Sequence, residues 1–298
     1  TTYSVVVSVK PTPVLSSTLT PPAICSGTTF SYTATSATTG STFAWTRATV
    51  SGISPAGTSG SGNVSEVLTN TSTIPINVTY VYTTTANGCS NAGQNVVVTV
   101  NPTPVLSSTL TPSAICSGAT FSYTATSSTS GATFGWTRAT VSGITPAGTS
   151  GSGNVSEALT NTTAAPINVT YVYITSANGC NNSPGQNVVV TVNPMPTLNS
   201  SLTPPAICSG TSFSYTPTSA TTGTSFAWTR ATVSGITPAG TSGSGNPNET
   251  LTNTTTAPIN VTYVYTLTAN SCTNPTTYSV VVSVKPTPVL SSTLTPPA

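Results

Sequence analysis

Six cysteines are the residues of this 298-residue chain best suited to chemistry. They stand at Cys25, Cys89, Cys116, Cys180, Cys208 and Cys272. No CxxC pair occurs and His is 0, so zinc ligation is disfavoured. Oxidation to disulfides in an extracellular compartment is the chemistry this pattern fits. Other reactive side chains are scarce. Lys+Arg number 5 and Asp+Glu number 3, which makes 3% of the chain charged, against roughly 25% in an ordinary domain. The acids are Glu66, Glu157 and Glu249, with no Asp. General acid–base catalysis, carboxylate-assisted hydrolysis and oxygen-cage cation sites need clusters that these residues cannot supply. The chain therefore reads as a non-enzyme, with no catalytic residue, metal site or cofactor expected. A net charge of +2 is no basic stripe for nucleic acid. No apolar run approaches the ~18 residues of a membrane span, so neither nucleic acid nor membrane insertion is expected.

Three further patterns invite chemistry. Arg47 and Glu66, Arg138 and Glu157, and Arg230 and Glu249 are each 19 residues apart, as for an ion pair within a module or a clasp between modules; an exposed pair contributes only ~0–1 kcal/mol. The run GTSGSGN at 57–63, 148–154 and 240–246 has the glycines of a phosphate loop but no Lys and no following helix, and reads as a loop. Asn-x-Ser/Thr sequons are dense: Asn63, Asn70, Asn77, Asn154, Asn161, Asn168, Asn248, Asn253 and Asn260, with Asn181 and Asn199 besides. Ser and Thr supply 111 positions. Sequons arise by chance in such a background, yet a surface so poor in charge needs solvation, and covalent N-linked or Ser/Thr-linked glycans would provide it.

Spacing then reveals the organisation. PTPVLSSTLT begins at Pro11, Pro102 and Pro286, with the variant PMPTLNSSLT at Pro194, giving offsets of 91, 92 and 92 residues. Cysteines and tryptophans (Trp45, Trp136, Trp228) follow the same ruler. Such a period suits one small β-domain per copy. Residues 1–23 are identical to 276–298, which points to a super-repeat of 275 residues holding three modules. We read the chain as a window on a longer polymer, the alternative being a recent tandem duplication. The expected division is 1–10, last strand of a preceding module; 11–101, 102–193 and 194–285, three modules; and 286–298, first strand of the next.

Within a module, apolar and polar residues alternate. Phe30, Tyr32 and Ala34; Phe43 and Trp45; Ile76, Val78, Tyr80 and Tyr82; and Val96, Val98 and Val100 form inward rows. This period of two predicts half-buried antiparallel strands, with 36–41, 57–63 and 86–94 as loops. The fold class is all-β: tandem immunoglobulin-like β-sandwich modules. Trp45, Trp136, Trp228, Tyr80, Tyr171 and Tyr263 are the expected core aromatics. The junction VVVTVNPTPVLSS carries two prolines and no Gly/Ser tether, so successive modules should keep a defined angle.

The pattern ICSG…FAWTR…TYVYT…ANGC…NVVVTVNPTP resembles the tandem immunoglobulin-like and PKD-like repeats of long secreted surface proteins of Bacteroidetes-type bacteria. The resemblance spans all three modules and implies export, surface display and a structural or adhesive role without catalysis. Module three departs from it, with NSC (270–272) in place of NGC. The acids with which some such modules hold calcium are also missing, so a calcium role is not carried over.

Cysteine connectivity has two solutions. The pairs lie within modules (Cys25–Cys89, Cys116–Cys180, Cys208–Cys272) or between them (Cys25–Cys180, Cys116–Cys272, with Cys89 and Cys208 bonding neighbouring repeats). In an immunoglobulin-like topology an eight-residue strand at ~3.3 Å per residue separates Cys25 from Cys89 by roughly 25 Å. A disulfide wants Cα atoms ~5.5 Å apart, which favours the second solution. The expected function is a structural repeat of an extracellular bacterial fibre or stalk whose partner is itself, head to tail. A loop-mediated glycan-binding adhesin and a donor-strand-exchanged pilus subunit, with 1–10 completing a neighbour's sheet, are the alternatives.

Overall fold

The structure, a computed structural model, describes residues 1–290 and 292. The described residues form three β-modules built alike and contain no helix. In module one, nine strands are described: β1 (Ile24–Cys25), β2 (Thr28–Tyr32), β3 (Thr42–Arg47), β4 (Ile53–Ser54), β5 (Thr58–Ser61), β6 (Val64–Asn70), β7 (Ile76–Ala86), β8 (Cys89–Ser90) and β9 (Gln94–Asn101). One sheet runs β1-β9-β7-β3-β5, with β8 turning back on the end of β7; the other runs β2-β6-β4. β1 joins β9 in parallel, Ile24 beside Val100 and Cys25 beside Asn101, and the longer pairings are antiparallel.

The alternation decides which face is covered. Val78, Tyr80, Tyr82, Val96, Val98 and Val100 are fully buried and meet Phe30, Tyr32, Val64 and Leu68 from the facing sheet. The ring of Tyr80 lies 5.3 Å from Phe30 and, edge-on, 5.5 Å from Trp45. Offset and T-shaped contacts of this kind add to area burial. Trp136, Trp228, Tyr171 and Tyr263 are buried at the matching places.

Two segments read as loops contain strands. Segment 57–63 holds β5, which pairs with β3 so that Gly60 sits opposite Trp45. Glycine lowers strand propensity and so hides the strand. It is there because a Cβ at Gly60 would stand 2.5 Å from the Trp45 indole. Segment 86–94 holds β8 and the start of β9. We expect Gly60→Ala to cost about 1–3 kcal/mol by overpacking, seen as a lower urea midpoint with an unchanged m-value.

The Arg–Glu pairs lie within modules and bridge the two sheets, which rules out a clasp between modules. Arg47 Nε is 3.0 Å from Glu66 Oε2, with the side chains 0% and 13% exposed. Arg47 also donates to the carbonyls of Pro55 and Ala56, and Glu66 accepts from the hydroxyls of Thr58 and Tyr80. Arg138–Glu157 and Arg230–Glu249 repeat this at 3.0 and 2.9 Å. The low value of an exposed pair therefore does not apply. Arg47 lies two residues beyond Trp45 on β3 and is buried with it, and the second sheet supplies the carboxylate it meets.

Burial pushes the Glu66 carboxyl up, but hydrogen bonds from Thr58, Tyr80 and Arg47, with the Arg47 charge, outweigh it and hold the group below its usual range. Glu157 and Glu249 are lowered likewise. Burial raises Tyr82 and Tyr173 to about 12. A depressed carboxylate stabilises the fold above its unfolded value, about 4.3, and that contribution disappears as pH falls through the folded value. A raised phenol stabilises below its unfolded value of about 10 and loses this as pH climbs through the folded one. With no His and no Asp in the chain, unfolding free energy should stay flat between roughly pH 5 and 8. The acid limb then reports these three glutamates, and chemical denaturation across pH checks it.

Candidate functional site at the module junctions

The last strand of each module ends beside the first, so the tip of β9 and Cys25 of β1 share the downstream pole. At the opposite, upstream pole, β7 reverses into β8 through Asn87 (φ 54) and Gly88 (φ 80), which places Cys89 just after the turn. The left-handed backbone of this turn is why Asn-Gly occurs there. The counterpart turns are Asn178-Gly179 and Asn270-Ser271. Ser271 takes the same conformation at φ 62, so NSC preserves the turn that NGC forms.

The junction brings the two poles together. Cys25 is bonded to Cys180 and Cys116 to Cys272, each with Cα atoms 5.6 Å apart. One residue pairing away, Asn101 Nδ2 donates to the carbonyl of Asn178 at 2.9 Å, and Asn193 Nδ2 to that of Asn270 at 3.1 Å. The left-handed turn thus exposes a carbonyl to the preceding module while presenting its cysteine to that module's first strand. Pro102, Pro104, Pro194 and Pro196 are buried at the two junctions, so the connection is packed. Among the described residues, Cys89 and Cys208 are the unpaired cysteines.

The sequons divide into distinct groups. Asn70, Asn161 and Asn253 are buried, and their role as glycan acceptors is corrected. Asn70 Nδ2 donates to the carbonyls of Ile74 and Val100 at 2.8 Å each, while its Oδ1 accepts from Ser72. Asn161 and Asn253 do the same with Thr163 and Thr255. A sugar on that nitrogen would break bonds that tie the turn to the last strand. Asn-x-Ser/Thr here is an Asx turn, in which the side-chain oxygen takes up the hydroxyl residue two places on. Asn63, Asn77, Asn154, Asn168, Asn181, Asn199, Asn248 and Asn260 are exposed.

Residues 1–10 and 276–285 are identical in sequence but differ in structure. Strand Tyr278–Lys285 pairs with Ile259–Ala269 and Ile207–Cys208, and Val280, Val282 and Val284 are fully buried. The matching Val5, Val7 and Val9 are 84%, 76% and 89% exposed, with no strand. Among the described residues, no such strands flank residues 1–10. Segment 11–23 forms no regular strand either, although Leu15 enters the core and Leu19 accepts a backbone bond from Val97. Residues 286–290 are without a strand; of the expected next first strand, 291 and 293–298 lie outside the described residues.

The sequence profile of the PKD-like domain family matches residues 22–104, 113–196 and 205–288. The chain belongs to the PKD-like domain family, as three tandem copies with an immunoglobulin-like fold. No curated protein matches it. It is similar to human CDH23 EC21-23 at 13% identity and a TM-score of 0.35, covering 92% of this chain and 100% of that one. It is also similar to the insect immune protein hemolin at 11% identity and a TM-score of 0.31, covering 92% and 76%. A third similar structure, Drosophila OTK extracellular domains 3-5, has 9% identity and a TM-score of 0.26, covering 89% and 94%.

Proposed function

We propose that this chain is a stretch of an extracellular structural stalk or fibre, in which PKD-like modules follow one another in rigid succession. One observation carries the reading: two successive junctions are cross-linked in the same way, Cys25 to Cys180 and Cys116 to Cys272. Each cross-link is accompanied by an Asn-to-turn hydrogen bond in the same register. A joint meant to swivel needs none of these, whereas equal joints repeated give a fixed rise and rotation per module. Disulfides between modules also fit an oxidising compartment outside the cytosol. The charge-poor, hydroxyl-rich surface supplies neither the general acids and bases of an enzyme nor a charged face for nucleic acid.

Small-angle scattering and electron microscopy of the oxidised chain test this reading. A narrow distribution of inter-module angles that widens on reduction is the expected result. Equally wide distributions before and after reduction would overturn it.

A further inference from the structure

We propose that Cys208 and Cys89 are the two halves of a third inter-module disulfide, closed head to tail with a second copy of this chain. The inference rests on the stalk reading and adds its partner. Both halves are already built. Cys208 lies in strand Ile207–Cys208 beside Lys285, the register that Cys25 has with Asn101 and Cys116 with Asn193. Cys89 follows the turn Asn87-Gly88, as Cys180 and Cys272 follow theirs. Exposure is what sets these two cysteines apart from their bonded counterparts. Cys180 and Cys272 are 3% and 1% exposed, whereas Cys89 is half-buried and Cys208 exposed.

A second, independent observation points to the same partner. Lys10 Nζ donates to the carbonyl of Asn87 at 2.9 Å, on the atom that Asn101 and Asn193 contact in the turns of modules two and three. Lys10 and Lys285 end identical segments. The end of a strand like 276–285 is therefore seated on the upstream pole of module one, and Cys89 is next to it in the turn. Where Lys285 meets the following copy, Cys208 stands alongside as Cys25 stands alongside Asn101. Chain passing between copies at KPTPVL, a sequence present at both ends, needs no added residue.

Bond formation is a two-electron oxidation, and a low-molecular-weight disulfide is the oxidant. The thiolate of one cysteine attacks it, releasing one small thiol and leaving a mixed disulfide. The other thiolate then displaces the second small thiol, and the two protons end on the two small thiols.

The test uses a chain in which residues 1–275 precede a complete 1–298, oxidised with a low-molecular-weight disulfide. Its native thiols are counted by alkylation, and its peptic peptides are mapped without reduction. The expected result is two thiols per chain and a peptide joining Cys208 of the first copy to Cys89 of the second. Cys208→Ser in the first copy should lose that peptide alone and expose one further thiol. Four thiols with Cys25–Cys180 and Cys116–Cys272 intact would overturn this proposal while leaving the stalk reading in place. A Cys25–Cys89 peptide would overturn the stalk reading itself.

Discussion

Replacing Glu66 by alanine lowers the stability of module one by about 3–5 kcal/mol, the range for removing one partner of a buried ion pair. Arg47 has no exposed side-chain surface and keeps its carbonyl bonds to Pro55 and Ala56, so it cannot swing out to water when the carboxylate is lost. The hydroxyls of Thr58 and Tyr80 lose their acceptor at the same time. Total stability of such a domain is about 5–15 kcal/mol, so this one change removes a large part of it. Glu66→Gln, which keeps the shape and one acceptor oxygen, should cost less than alanine. Urea unfolding of the wild type and both variants checks the order. Equal midpoints for all three would show that the pair carries no weight.

Loss of the first inter-module bond is the second large effect. Changing Cys25 and Cys180 together to serine removes a cross-link spanning 155 residues of sequence. Bonds closing loops of this length contribute about 2–5 kcal/mol against full unfolding. Here part of that contribution acts on the junction. Each module keeps its own core, so calorimetry should show modules one and two melting as separate transitions where the oxidised parent shows coupled ones. Scattering should report a wider angle between them, with the Asn101–Asn178 hydrogen bond left to hold the joint. Unchanged calorimetry and scattering would remove the mechanical role assigned to the disulfide.

Much of the fold was legible because its signal is local. The rows Ile76, Val78, Tyr80, Tyr82 and Val96, Val98, Val100 alternate with polar residues, and only a half-buried strand uses that period. Strand length in an immunoglobulin-like topology, which sets Cys25 and Cys89 at opposite ends of the module, favoured the inter-module cysteine pairing over the intra-module one. The disulfides Cys25–Cys180 and Cys116–Cys272 decide between the two. What stayed hidden depends on neighbours remote in sequence. Glycine at Gly60 looked like a loop residue until Trp45 was seen across from it. The sequon at Asn70 looked like a sugar acceptor until its nitrogen was found on Val100. Arg47 and Glu66 were visible as a pair, but their burial between two sheets was not.

Residues 1–10 and 276–285 separate the two kinds of information. TTYSVVVSVK by itself determines an alternating β-branched segment that can be a strand wherever it occurs. Tertiary structure alone decided that Val282 is fully buried while Val7 is 76% exposed. A strand's hydrogen bonds and its covered face both come from other strands, so an identical sequence is ordered into a sheet only where those partners flank it.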